Sequence, residues 1–250
     1  MPAMMYSLIN RRVATALLTG AALSLAACGS PEADIKDLKS LVQVTYGQKK
    51  FKESAGHAAK GLKLATGVLG PKHPDTLYFA QALTEAYVEL NDKKGALGAL
   101  NREIELRLGA GQGEPKVQAR RTLAIKLAEE TGDKATAVKH AVAISKSIAM
   151  DKDKDPQPVY RTETKYPVDL FNQGVEGDVT VSYSLDETGA VTSAKVIKSK
   201  PSQVFDRAAL ESFKAWRFTP VLENGQPIAI TNREFTLMFR LGGRNLAPKN

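Results

Sequence analysis

From Asp34 to about Ile148, apolar and alanine positions recur at intervals of three and four, the period of one face of a helix. Breaks fall at Gly70-Pro71, at Gly109 to Pro115 and at Gly132-Asp133, so this half of the chain is expected to be all helix. Three small residues open equivalent second helices: Ser54 after Phe51-Lys52-Glu53, Ala96 after Lys93-Lys94-Gly95, and Ala137 after Lys134-Ala135-Thr136. Their separations are 42 and 41 residues, which reads as an internal repeat; a plain helical bundle with coincidental spacing is the alternative. Small side chains suit positions where paired helices cross closely. Such an array buries its apolar stripe between neighbours and leaves a concave face for a partner peptide.

The period changes after Asp151. Residues 151–164 are charged, carry Pro156 and Pro158 and lack hydrophobic repeat, so they are expected to form a linker. Then Val179, Val181, Tyr183 and Leu185 alternate with Thr180, Ser182 and Ser184, the period of a half-buried strand. Asp186 to Gly189 supplies a turn and Ala190 to Lys198 a returning strand. Pro201-Ser202 is expected to open a helix with Phe205, Ala209 and Phe213 on one face and Leu210 beside them. Trp216 to Pro220 begins a third strand, Glu223 to Gln226 a turn, and Ile228 to Leu241 a long final strand with Phe235, Leu237 and Phe239 on one side. The sum is a small antiparallel sheet with one covering helix, an α+β domain.

At the other end, Arg11 and Arg12 precede an uncharged run from Val13 to Ala27, which closes in Leu25-Ala26-Ala27-Cys28. This resembles a bacterial lipoprotein signal, which implies cleavage before Cys28 and acylation of its thiol and amine. Lipidation also accounts for the chain having a single cysteine, placed at that point. An uncleaved anchor is the first alternative, although a helix of 15 residues spans about 22 Å against roughly 30 Å of hydrocarbon. Plain secretion, leaving a free thiol in an oxidising compartment, is the second. Gly29 after the cysteine points to the outer membrane, facing the periplasm, under the sorting rule of such lipoproteins. The expected organisation is signal peptide 1–27, helical repeats 28–150, linker 151–164, α+β domain 165–243 and tail 244–250.

Composition narrows the partners. The chain is 43% hydrophobic and 25% charged, as ordinary globular protein is. Loss of Arg11 and Arg12 with the signal lowers the formal net charge from +8 to +6. The positive balance fits nearby anionic lipid or cell-wall polymer as one reading; the lysines are scattered and often have acidic neighbours, which reads as a mixed solvated surface, and nucleic acid is not expected.

No chemistry of catalysis is visible. His57, His73 and His140 fall in three different units without a second ligand at i+4, so no metal is expected and they read as surface or loop residues. Asp186-Glu187 sits where acidic residues favour a turn. Trp216-Arg217 suggests a stacked binding site, with Trp216 as core the plainer reading. Neither catalytic residue nor cofactor is expected.

Two further resemblances follow from the residues above. The repeat, with the loop Leu69 to Thr76, resembles the longer tetratricopeptide variant. Tyr166-Pro167, Gly174-Val175-Glu176-Gly177, the turn Asp186 to Val191, Phe205 to Leu210, Trp216-Arg217-Phe218-Thr219-Pro220 and Gly225-Gln226-Pro227-Ile228 occur in the order and spacing of the TonB C-terminal domain family. The fold expected is therefore multidomain: all-α tetratricopeptide-like helical repeats followed by a small α+β domain of TonB C-terminal type. The resemblance implies protein contact, in which an outer-membrane receptor peptide pairs with an exposed strand. The candidate edge is Thr231 to Arg240, with Thr231, Arg233, Phe235, Leu237 and Phe239 as the partner-binding residues; pairing in a homodimer is the alternative. The expected function is that of a non-catalytic, lipid-anchored envelope protein that binds protein partners near an outer-membrane transport system. A TonB-type energy transducer with residues 13–27 retained as anchor is one alternative, and a cell-wall-binding or enzyme accessory module the other.

Overall fold

A computed structural model describes residues 30–241; the signal, Cys28 and the expected tail lie outside the described residues. From Pro31 onward the chain is one compact unit.

Six helices come first: α1 (Pro31–Gly47), α2 (Phe51–Val68), α3 (Pro74–Glu89), α4 (Lys93–Gly109), α5 (Glu114–Thr131) and α6 (Lys134–Ser147). Local chemistry sets their ends. Asp92 Oδ1 accepts from Gly95 N at 2.9 Å and Asp133 Oδ1 accepts from Thr136 N at 3.1 Å, so α4 and α6 start on the same aspartate cap. α5 stops at Gly132, whose φ of 79° is the left-handed C-terminal conformation that glycine tolerates.

Each helix packs on the next, and the expected crossing residues Ser54, Ala96 and Ala137 are all fully buried. Ser54 spends its hydroxyl on the Val42 carbonyl of α1, at 3.4 Å. Gly61 is a further close approach that periodicity does not flag. A Cβ there would stand 2.2 Å from the ring of the fully buried Phe79.

The second half contains β1 (Pro158–Tyr160), α7 (Val168–Asn172), β2 (Gly177–Leu185), β3 (Val191–Lys200), α8 (Asp206–Phe213), β4 (Arg217–Phe218), β5 (Val221–Glu223), β6 (Gln226–Ile228) and β7 (Ile230–Phe239). The main sheet has the order β3-β2-β7, all antiparallel, and two short ribbons pair β1 with β4 and β5 with β6. Strand β2 alternates buried and half-buried residues along its whole length. Phe205, Ala209 and Phe213 are fully buried beneath α8, as an amphipathic face on a sheet requires.

Three boundaries differ from the sequence reading. The helix expected from Pro201 begins at Asp206, because residues 201–205 form turns in which Gln203 N donates to Ser199 Oγ at 3.0 Å. The long last strand begins at Ile230, because Gln226–Ile228 pairs back on Val221–Glu223 around Asn224-Gly225, both at positive φ. The segment expected as a linker carries β1, and Thr162 and Thr164 bond to Ser212 at 3.0 Å each.

The halves share apolar contacts. Met150 is buried in the core of the sheet domain, with Ile148 packed against it, while Val159 and Tyr160 pack against the α4–α6 core. Arg217 of β4, almost completely buried, forms an ion pair with Glu129 of α5 and donates to the Thr188 carbonyl at 2.8 Å.

Candidate docking edge on the last strand

Strand β7 has β2 on one side only. Its other edge faces the segment 161–164 across a groove of about 710 Å³, lined by Phe235 to Phe239, Trp216, Arg161 to Thr164 and Lys126 of α5. Five extended residues cover about 16 Å, and a further strand lies about 4.8 Å away. The far wall is fixed by the two threonine bonds to Ser212. Trp216 forms part of the groove; its Nε1 is buried and has no hydrogen-bond partner. The Arg161 guanidinium lies 4.9 Å from the Trp216 ring centroid and 5.7 Å from that of Phe235, a cation–π arrangement.

The two sheet edges differ in chemistry. β3 presents exposed Lys195, Lys198 and Lys200, and lysines along an edge oppose strand addition. Its counterpart has no lysine.

Expected partner-binding residues separate into three kinds. Thr231 is exposed, and Phe235 is half-buried beside Trp216, their rings 5.6 Å apart. Arg233 donates to the Lys152 carbonyl and lies 3.7 Å from Asp155, both exposed residues of the expected linker. Leu237 and Phe239 are core, Phe239 stacking on Phe205 at 4.2 Å, so at these two positions an incoming strand would meet only backbone. Sequence reasoning did not find Arg161, Lys126 or Met238, which is 68% exposed on the outer face. Arg161 and Lys126 are brought to the edge from the expected linker and a helix of the other half, which no local pattern announces.

The remaining candidates are structural. In the turn, Asp186 Oδ1 accepts from Thr188 N at 2.8 Å and Ala190 N at 3.0 Å. Burial pushes that carboxyl up, but the Thr188 hydroxyl, the two backbone N–H groups and Arg217 outweigh it and hold its pKa below the ordinary value. His140 corrects the expectation of a surface or loop residue, since it is 1% exposed within α6. Arg121, always a donor, gives a hydrogen bond to Nδ1 at 3.0 Å, so Nε2–H donates to Asn101 Oδ1 at 2.7 Å. His73 caps α3, taking the Asp75 N–H at 3.1 Å, and His57 is half-buried on α2. Among the described residues no group of His, Cys, Asp or Glu is arranged to hold a metal.

The domain is thus a three-stranded antiparallel sheet with α8 across it and a last strand, β7, that is paired on one side only. Residues 162–241 match the family described as Gram-negative bacterial TonB protein C-terminal, so this domain belongs to the TonB C-terminal family, which accounts for about a third of the chain. Protein TonB of Yersinia enterocolitica is 30% identical over 88 residues, 35% of this chain and 32% of that protein. The Pseudomonas aeruginosa protein is 32% identical over 87 residues, 35% and 25% respectively. A solution structure of the Pseudomonas aeruginosa TonB CTD is 28% identical and covers 37% of this chain and 93% of that one, with a TM-score of 0.31. The chain thus spans 25% to 32% of the length of these curated relatives.

Proposed function

We propose that this chain is a non-catalytic, lipid-tethered protein of the cell envelope whose TonB C-terminal domain accepts an extended segment of an outer-membrane transport protein along the edge of β7. The groove between Phe235–Phe239 and residues 161–164 is the observation that carries this reading. Backbone groups of the edge supply affinity in such pairing, while Trp216, Phe235 and Met238 are placed to select side chains. The tether at Cys28 rests on the signal sequence. No described helix is long and apolar enough to cross a membrane.

Two measurements test it. Trp216 is the sole tryptophan, so its indole N–H gives one NMR resonance. Titration with extended segments of outer-membrane receptors is expected to shift that resonance and to protect from exchange those amides of Phe235 to Phe239 that point away from β2. Protection on β3 instead, or on neither edge, overturns the docking. For the tether, mass spectrometry of the mature protein is expected to find an acylated Cys28 at the N terminus; an intact Met1 with a free thiol overturns it.

A further inference from the structure

The charge of the helical half is sorted by helix. α2 carries Lys52, Lys60 and Lys63 against Glu53, a net +2. α4 carries Lys93, Lys94, Arg102 and Arg107 against Glu103 and Glu105, also +2. α6 has Lys134, Lys139 and Lys146 and no acid, +3. The first helix of each pair runs the other way or nearly neutral: α1 is −1, α3 is −3 and α5 is +1. Each helix packs on its successor, α1 also touches α3, Arg120 of α5 lies 3.9 Å from Glu85 of α3, and His140 of α6 lies 2.7 Å from Asn101 of α4, the alternation of stacked helix pairs with α2, α4 and α6 in one layer and α1, α3 and α5 in the other. Eight lysines that look scattered in the sequence thereby fall in the layer of α2, α4 and α6.

That face is built for a diffuse anionic surface. Lys52, Lys60, Lys94, Lys134, Lys139 and Lys146 are exposed, and among the described residues none of them forms an ion pair. The acids nearby are already engaged: Glu53 lies 3.9 Å from Lys50 and Glu105 lies 3.5 Å from Arg102, while Asp92 and Asp133 cap helices. Exposed Gly56, Ala59, Gly98 and Ala135 keep the ground between the lysines low. The aromatic residue of these three helices, Phe51, packs on Tyr46 with ring centroids 5.3 Å apart, so there is no platform on which bases would stack.

We propose that the face formed by α2, α4 and α6 rests on anionic phospholipid headgroups. Flexible lysines on a groove-free surface match a plane of phosphates, where each adds attraction that salt screens. The inference does not depend on Cys28, because it concerns the unit that begins at Pro31.

The test is cosedimentation of the chain from Pro31, a compact unit of its own, with vesicles of phosphatidylcholine alone or mixed with phosphatidylglycerol. Binding is expected only to the mixed vesicles and is lost at about 0.5 M salt. The triple variant Lys134→Glu, Lys139→Glu, Lys146→Glu is expected to weaken it roughly tenfold or more. Lys195→Glu, Lys198→Glu, Lys200→Glu on β3, with the same change of net charge, is expected to leave it within about twofold if the α6 face makes the contact. Circular dichroism checks the fold of both. Should the α6 variant misfold, Lys52→Gln with Lys60→Gln on α2 replaces it, with weakened binding again the expected result. Equal binding to neutral vesicles, equal loss in the β3 variant, or capture by soluble polyphosphate without vesicle binding each overturns the proposal.

Discussion

His140 shows how a residue's chemistry follows its neighbours. Desolvation, then the adjacent charges of Arg121 and Lys139, push its pKa down to about 4. The unfolded chain takes up that proton near pH 6.5. Between those values the unfolded state binds the extra proton, so stability is full above 6.5 and falls as the pH drops toward 4. Chemical denaturation is expected to show a loss on the order of 2 kcal/mol across this window, largely absent in His140→Gln. A histidine-independent profile would mean that the ring is not held neutral. The sequence offered this residue as one of three isolated histidines. What it could not show is that Arg121, Asn101 and the α4–α6 crossing enclose it, since those contacts join residues 19 and 39 positions apart.

At the scale of elements, the helices were legible because their apolar positions are periodic, and Ser54, Ala96 and Ala137, marked as small close-packing positions in the sequence, are fully buried. Gly61 was not legible, because a glycine in a helix carries no period of its own and the demand for it comes from Phe79 on another helix. Gly61→Ala is expected to destabilise the chain by about 1–3 kcal/mol in urea unfolding, since the buried ring has nowhere to move; a neutral effect would show a looser α2–α3 contact. Strand β2 and its hairpin were equally plain, from alternation and an Asp-Glu-Thr-Gly turn. The late start of β7 was hidden because Gln226–Ile228 is as extended as the strand it precedes, and only pairing tells the two apart.

At the scale of the whole molecule, the ion pair of Arg217 with Glu129 and the shared apolar contacts join the helices and the sheet, so they are expected to unfold together. Glu129→Ala would strand a buried guanidinium, at a cost of about 3–5 kcal/mol, and is expected to split one calorimetric transition into two. A single unshifted transition would show that the apolar contacts of Met150 and Tyr160 suffice. The same joining brings Lys126 of α5 to the groove beside β7, so the candidate docking edge belongs partly to the helical half.

The sequence by itself determined the all-helical first half, the α+β domain, its TonB C-terminal character and the edge position of the last strand. Each is written in local period, turn chemistry or ordered motifs, which depend on near neighbours. Only the tertiary structure decided that the expected linker carries a paired strand, that Leu237 and Phe239 face the core, and that eight lysines share the layer of α2, α4 and α6. Those outcomes depend on which distant segments touch, and a contact between distant residues leaves no periodic trace in either of them.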